Sequence, residues 1–206
     1  WQIDAAVLDA LAAVERADDL AAVKAAIAPL YRPWLEGAAL ALQAAVLPHA
    51  EQTYQVAPLP SFEPGTCVLF CDGLRFDLGQ RLLVDLTRRG LAGEGSWRLA
   101  PLPPVTATAK PVVSPAAGYI VGQGKHDLVP VSAVSSTNVT ISVLRSLLAE
   151  TGYQVLQGEA LGDPAGRAWT EYGAIDRYGH DHGWKIAHHV LGELIGLADR
   201  IASLLD

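Results

Sequence analysis

The sequence is poor in sulfur. It contains no methionine and only two cysteines, Cys67 and Cys71, among 206 residues. Two cysteines are too few for the disulfide framework of a small secreted domain. Because they lie four residues apart on one predicted strand, they are badly placed to form a disulfide with each other. We interpret them as buried thiols, since no second pair of Cys or His at ligand spacing accompanies them to form a zinc site.

Basic residues and long apolar runs are also scarce. The chain has 15 Lys and Arg against 22 Asp and Glu, a net charge of −7, so we predict no general binding to nucleic acid or to anionic membranes. No apolar run reaches the ~18 residues of a membrane span, and the N-terminus lacks a signal-peptide pattern. The default expectation is therefore a cytoplasmic protein. Because the chain begins at Trp1 and has no Met, we interpret it as a segment of a longer protein.

The chain does have enough apolar content for a globular core, with 50% hydrophobic and 18% charged residues. Apolar residues at helical spacing predict two or three helices between residues 4 and 50, and three prolines between residues 58 and 64 mark a linker. We predict an N-terminal helical arm at 1–56 and a second domain at 57–206. In the second domain strand and helix patterns alternate, which predicts an α/β fold with a mostly parallel sheet flanked by helices.

Within the second domain, local patterns predict the bounds of individual elements. Apolar residues predict a first strand at 66–71 and a further strand at 97–100. A short helix is expected to begin at Thr108, another strand to end at 174–175, and the last amphipathic helix to cover 186–205.

Asp72 is the most informative single residue, because it directly follows the first predicted strand. The carboxyl ends of parallel strands are where α/β proteins concentrate their ligand-binding and catalytic residues. Gly73 would then let the backbone turn. The alternative is that Asp72 only caps the helix predicted to begin near Arg75.

A second cluster of polar residues includes Asp176 and His180, followed by His182. An Asp at a strand end and a His four residues later can converge across a tight turn, which Gly179 would permit. Carboxylate oxygen and imidazole nitrogen suit zinc or manganese. His182 is a further candidate ligand, and the alternative for the whole segment is a polar loop before the last helix.

Three segments together resemble a known family. They are VLFCDGLRFD at 68–77, PPVTATAKPVVSPAAG at 103–118 and WTEYGAIDRYGHDHG at 169–183. Their order and spacing resemble the PglZ domain, a branch of the alkaline phosphatase superfamily found in bacterial phage-defence systems of the BREX type. The resemblance covers about residues 60–206 and implies an alkaline phosphatase-like core that is incomplete at its C-terminus.

The resemblance implies a site with two divalent metal ions, zinc or manganese, beside a nucleophilic hydroxyl. It implies Thr108 as the nucleophile, with Thr106 as its rival, and both threonines have the alternative role of capping a helix. It implies metal binding by Asp72, Asp176 and His180. Two further residues have open roles: Lys110 either assists or is a solvated helix residue, and Arg75 contacts either phosphate or the carboxylate of Asp77.

The implied activity is hydrolysis of a phosphomonoester or phosphodiester, and the implied partners are other proteins of the same defence system. The superfamily also has a later strand ending in Asp-His, which these 206 residues do not include. We therefore expect this segment by itself to bind metal poorly and to be nearly inactive, whereas the parent protein would be an enzyme. The alternative is a non-catalytic scaffold or protein-interaction module. A flavodoxin-like or receiver domain would leave the threonine loop and the Asp176 cluster unused.

Overall fold

The computed structural model describes most of the chain, namely residues 1–49, 62–97, 100–101, 103–122 and 129–206. The predicted domain boundary at residue 57 and the middle of the strand predicted at 97–100 lie outside these ranges. Described helices are α1 (Gln2–Ala12), α2 (Ala17–Val46), α3 (Phe76–Arg88), α4 (Thr106–Val113), α5 (Ile141–Glu150), α6 (Ala174–His182) and α7 (Ile186–Leu205). Described strands are β1 (Thr66–Cys71), β2 (Ile120–Val121), β3 (Val131–Ser132), β4 (Tyr153–Val155) and β5 (Arg167–Tyr172).

These elements belong to two compact units that alternate along the chain. The first, here called the helical unit, consists of Trp1–His49, Gly73–Ser96 and Gly173–Leu205 and contains α1, α2, α3, α6 and α7. The second, the sheet unit, consists of the described residues of Ala50–Asp72 and Trp97–Tyr172, with Asp206. It contains the five strands together with α4 and α5.

The sheet unit is built on a three-stranded parallel sheet in the order β1-β5-β4. In the pairing of β1 with β5, Thr66 lies opposite Arg167 and Cys71 lies opposite Tyr172. A second sheet pairs β2 with β3 in antiparallel fashion over two residues each. The predicted α/β class, with a mostly parallel sheet, flanking helices and helices at the N-terminus, is confirmed.

Helix α5 covers the sheet with a stripe of leucines. Leu144, Leu147 and Leu148 recur at the three- and four-residue spacing of one helix face and are all buried. They pack in one cluster with Trp169 of β5, which has no exposed surface and stacks on Phe70 with ring centroids 6.0 Å apart. This cluster fixes the central strand against the helix.

The helical unit buries one face of α7, with Val190, Leu194 and Leu197 at helical spacing. Helix α2 differs, because none of its residues is fully buried although it is rich in Ala and Leu. Its Leu30 and Leu40 are 78% and 65% exposed. Of the helices in the described part of the chain, none is long and apolar enough to span a membrane.

Two predicted element bounds are wrong. The strand expected to end at 174–175 ends at Tyr172, because Gly173 begins a helix that continues to His182. Helix α4 begins at Thr106 and not at Thr108, because Val105 already has the extended backbone of an N-cap residue. Both shifts change where candidate site residues stand.

We predict that Leu148→Ala lowers the free energy of unfolding by about 3 kcal/mol, because it leaves a cavity beneath the parallel sheet. The matched control is Ile141→Ala on the same helix, where the side chain is 51% exposed, and it should cost less than about 1 kcal/mol. Urea denaturation of the three proteins measures both values. Equal losses in the two variants would show that α5 does not bury this face.

Candidate functional site

Asp72 stands at the carboxyl end of β1, as predicted. Its backbone N–H donates to the carbonyl oxygen of Tyr172 at 2.9 Å, which extends the β1–β5 pairing by one hydrogen bond. Its side chain is partly exposed. The parallel sheet therefore presents this carboxylate at the edge where both strands end.

Thr106, the first residue of α4, is the polar side chain that meets Asp72. Its hydroxyl Oγ1 donates to Oδ1 of Asp72 at 3.2 Å, across 34 residues of sequence, and Thr106 is exposed. Val105 occupies the N-cap position and provides no side-chain cap. The start of α4 therefore presents a hydroxyl beside a carboxylate, together with the amide-rich end of a helix.

Thr108 occupies a different environment from Thr106. It is 1% exposed, and it lies two residues further along α4, about 200° around the helix axis. The resemblance implied Thr108 as the nucleophile, with Thr106 as its rival. The hydroxyl that combines exposure with a contact to Asp72 belongs to Thr106.

A cluster of charges not recognised from the sequence surrounds Glu171, near the end of β5. Nζ of Lys110 donates to Oε2 of Glu171 at 3.0 Å, and Nε1 of Trp169 donates to Oε1 at 3.2 Å. Nε of Arg145 lies 3.8 Å from Oε1. The side chains of Lys110 and Glu171 are only 14% and 18% exposed. One sequence signal was available, a single acidic residue within an otherwise mostly uncharged strand.

The pKa of Glu171 lies below its usual value. Burial by itself raises the pKa of this carboxyl, but the hydrogen bonds from Lys110 and Trp169 and the charges of Lys110 and Arg145 outweigh burial. Glu171 is therefore ionised at neutral pH, and its ion pairs persist well into acid.

Cys71 precedes Asp72 and is not a nucleophile at neutral pH. Burial, together with the negative charge of Asp72, raises the pKa of the Cys71 thiol to about 12. The thiolate is the reactive form of cysteine. The Cys71 thiol is therefore almost entirely protonated at neutral pH.

Asp176 and His180 lie on one face of α6 in the helical unit. The prediction that they converge across a turn at Gly179 is wrong, because residues 174–182 are helical. The i,i+4 spacing brings them together instead, with Nε2 of His180 3.6 Å from Oδ1 of Asp176. The side chain of His180 is 80% exposed and that of Asp176 is 38% exposed, so both can reach a ligand from solvent.

His182, the further candidate ligand, is exposed at the end of α6. Its ring packs on Tyr178 with centroids 4.2 Å apart, and His189 packs on the same Tyr178 at 4.6 Å. These ring contacts join α6 to α7. In this arrangement the imidazole of His182 serves packing.

Arg75 is engaged by a carboxylate of its own helix. Nε and Nη2 of Arg75 donate to the two carboxylate oxygens of Asp77 at 2.9 and 2.6 Å, and Asp77 is 2% exposed. A bidentate pair of this kind neutralises the buried Asp77. Of the two contacts considered for Arg75, with phosphate or with the carboxylate of Asp77, the structure shows the second.

The candidate metal ligands have suitable chemistry but form small groups. Asp176 and His180 offer the oxygen and nitrogen donors that zinc and manganese accept. Over the residues that the structure describes, no group of three or more His, Cys, Asp or Glu side chains is arranged to hold a metal ion. The pair would therefore supply two ligands of a metal site.

Comparisons with known proteins identify no relative. The chain matches no protein-family model, no curated protein and no solved structure.

In the helical unit, Gly73 approaches the first turn of α6. It has a φ of +75°, and a β-carbon added there would lie 2.9 Å from the backbone N of Asp176. We predict that Gly73→Ala lowers the free energy of unfolding by about 2 to 4 kcal/mol, the sum of backbone strain and overpacking.

The control for this prediction is Gly90→Ala. Gly90 also has a positive φ, +83°, but a β-carbon there meets no atom within 4 Å, so only the strain of about 1 kcal/mol is expected. Chemical denaturation compares the two variants. Equal losses would mean that α6 can move away from Gly73 without cost.

We predict that Cys71 is alkylated about a thousand times more slowly in the native protein than in the unfolded protein at pH 8. The reason is its pKa of about 12, compared with an ordinary value of 9.0. Cys67→Ala leaves Cys71 as the single thiol, and iodoacetamide labelling followed by mass spectrometry measures the rates with and without urea. Comparable rates in the two states would contradict the burial of Cys71.

Proposed function

We propose that this chain is a PglZ-type, metal-dependent phosphoesterase domain of a bacterial phage-defence protein, which hydrolyses a phosphomonoester or phosphodiester. The ordered resemblance of the segments at 68–77, 103–118 and 169–183 suggests the family. The single observation that carries the proposal is the hydrogen bond between the Thr106 hydroxyl and the Asp72 carboxylate at the start of α4. A hydroxyl nucleophile in this chemistry requires that kind of neighbour.

In this proposal Thr106 is the nucleophile. Asp72 orients its hydroxyl through the 3.2 Å hydrogen bond. The Thr106 hydroxyl gives up its proton to solvent, its oxygen attacks phosphorus, and the P–O bond to the leaving alcohol breaks as that oxygen takes a proton from solvent. Water then attacks the phosphoryl group, the bond to Thr106 breaks, and a proton returns to the Thr106 oxygen. The product is phosphate from a monoester or the remaining phosphomonoester from a diester. The amides at the start of α4 offer donors to the phosphoryl oxygens.

Asp72 would hold one divalent ion, and Asp176 with His180 would hold another, zinc or manganese. Such ions lower the pKa of an attacking hydroxyl and neutralise charge on phosphoryl oxygens. A complete site for two metal ions needs more ligands than these three residues supply. A cytoplasmic location and partners from the same defence system are part of the proposal.

A second candidate function is a non-catalytic interaction module built on the same fold. One observation favours it: Leu30, Leu40 and Leu42 of α2 are 78%, 65% and 52% exposed. Over the residues that the structure describes, α2 has no buried residue, so its apolar side chains are accessible to a partner protein.

We predict that Thr106→Ala lowers kcat at least about 1,000-fold, because it removes the attacking oxygen. Thr108→Ala should keep kcat within about tenfold while lowering stability, because the Thr108 side chain is buried. Hydrolysis of p-nitrophenyl phosphate and bis(p-nitrophenyl) phosphate by the full-length protein with manganese or zinc measures both.

Thr106→Ser is the matched control, since it keeps the hydroxyl and should keep most of the activity. If Thr108→Ala abolished hydrolysis and Thr106→Ala did not, the nucleophile would be Thr108. If the wild-type protein hydrolysed neither ester with either metal, the interaction module would replace the enzyme.

A further inference from the structure

In the cluster around Glu171, each of the two carboxylate oxygens accepts a hydrogen bond from a different side chain. Trp169 is fully buried and donates through Nε1 to Oε1 of Glu171. That bond engages one carboxylate oxygen from the core and leaves the other oxygen, Oε2, for a second donor. Oε2 is the atom that accepts from Lys110. The position of the Lys110 ammonium is therefore set by the core of the sheet unit.

Lys110 shares its helix face with Thr106. The two residues are four apart on α4, which places their side chains on the same side of the helix. The Lys110 ammonium also lies 5.0 Å from the ring centroid of Phe70, on the strand that leads to Asp72. An aromatic face and a carboxylate thus hold this cation on the side of α4 that bears the hydroxyl.

The side chains of Lys110, Arg145 and Glu171 together carry a net positive charge. Lys110 and Arg145 both approach Glu171, which leaves a formal excess of one positive charge. The Lys110 ammonium has three N–H donors, and its hydrogen bond to Oε2 of Glu171 uses one of them. The remaining donors suit an anion with several oxygens.

We propose that Lys110 binds a phosphoryl oxygen of the substrate and that Glu171 is the positioning residue that holds Lys110 for this contact. The inference rests on the proposed function, because it requires a phosphoryl group at Thr106. Glu171 acts only through Lys110. Removing the Glu171 carboxylate releases Lys110 from its position, and we expect this loss of position to outweigh the added positive charge and to weaken phosphate binding.

The experiment uses the full-length protein with manganese, and inorganic phosphate is the probe. Competitive inhibition gives the phosphate Ki in the active protein, and calorimetry gives the phosphate Kd in the Thr106→Ala background, where turnover does not interfere. The variants are Lys110→Met, Glu171→Gln and the double variant. Lys110→Arg tests rescue by another cation, and Arg167→Met is the control, since Arg167 begins β5 at the opposite end from Glu171 and lies over the ring of Tyr153.

We expect Lys110→Met to raise the phosphate Ki and Kd about tenfold and Glu171→Gln to raise them about three- to tenfold. The double variant should bind phosphate no more weakly than Lys110→Met, because both changes remove one contact. Lys110→Arg should recover part of the affinity, and Arg167→Met should change the affinity less than twofold.

A solely structural role gives a different result. Glu171→Gln would then lower the melting temperature and leave the phosphate Ki and Kd unchanged, which overturns the inference. If Thr106→Ala abolishes hydrolysis while Lys110→Met binds phosphate normally, the inference fails and the proposed function stands. If the wild-type protein neither hydrolyses the esters nor binds phosphate, both fail together.

Discussion

The parallel pairing of β1 with β5 is the constraint on which the sheet unit depends. It joins segments about a hundred residues apart in register, with Cys71 opposite Tyr172. Because parallel strands end at the same edge, the pairing delivers Asp72 and Glu171 to one end of the sheet. Trp169 and Phe70 stack behind this edge and hold the two strands to the core. Neither carboxylate would have its present neighbours if the register slipped.

Helix α4 is the second element of the site, and its position explains the contrast between its two threonines. Its first residue is exposed, and its third is buried. An apolar N-cap at Val105 gives up the stabilisation that Ser, Thr, Asp or Asn would supply there, which is commonly about 1 kcal/mol. Such a cap supplies no side-chain acceptor to the first turn, where the Thr108 N–H donates instead to the carbonyl oxygen of Val105 at 3.0 Å.

Strand β1 and Asp72 could be predicted from the sequence because they depend on local patterns, an apolar run followed by Asp-Gly. Thr106 was the rival and not the first choice, because the resemblance rested on the interval from Thr108 to Gly118. Which of the two hydroxyls reaches Asp72 depends on how α4 packs, and that interval does not specify the packing. Asp176 was expected at a strand end because the short apolar pair 174–175 suits either a strand or a helix. The contact of Lys110 with Glu171 spans 61 residues. A contact of that separation follows from strand pairing, which no local pattern in one sequence specifies.

In our proposal the Lys110–Glu171 pair contributes to phosphate binding as well as to stability. Taking an ammonium and a carboxylate out of water costs several kcal/mol for each ion, and their mutual attraction often does no more than balance that cost. An apolar pair of similar volume would fill the same space beside Phe70 at least as well. Two cations on one half-buried carboxylate are harder still to justify by stability, because Lys110 and Arg145 repel each other. A site that must attract an anion benefits from that excess charge, and the buried Trp169 supplies the rigidity that such a site needs.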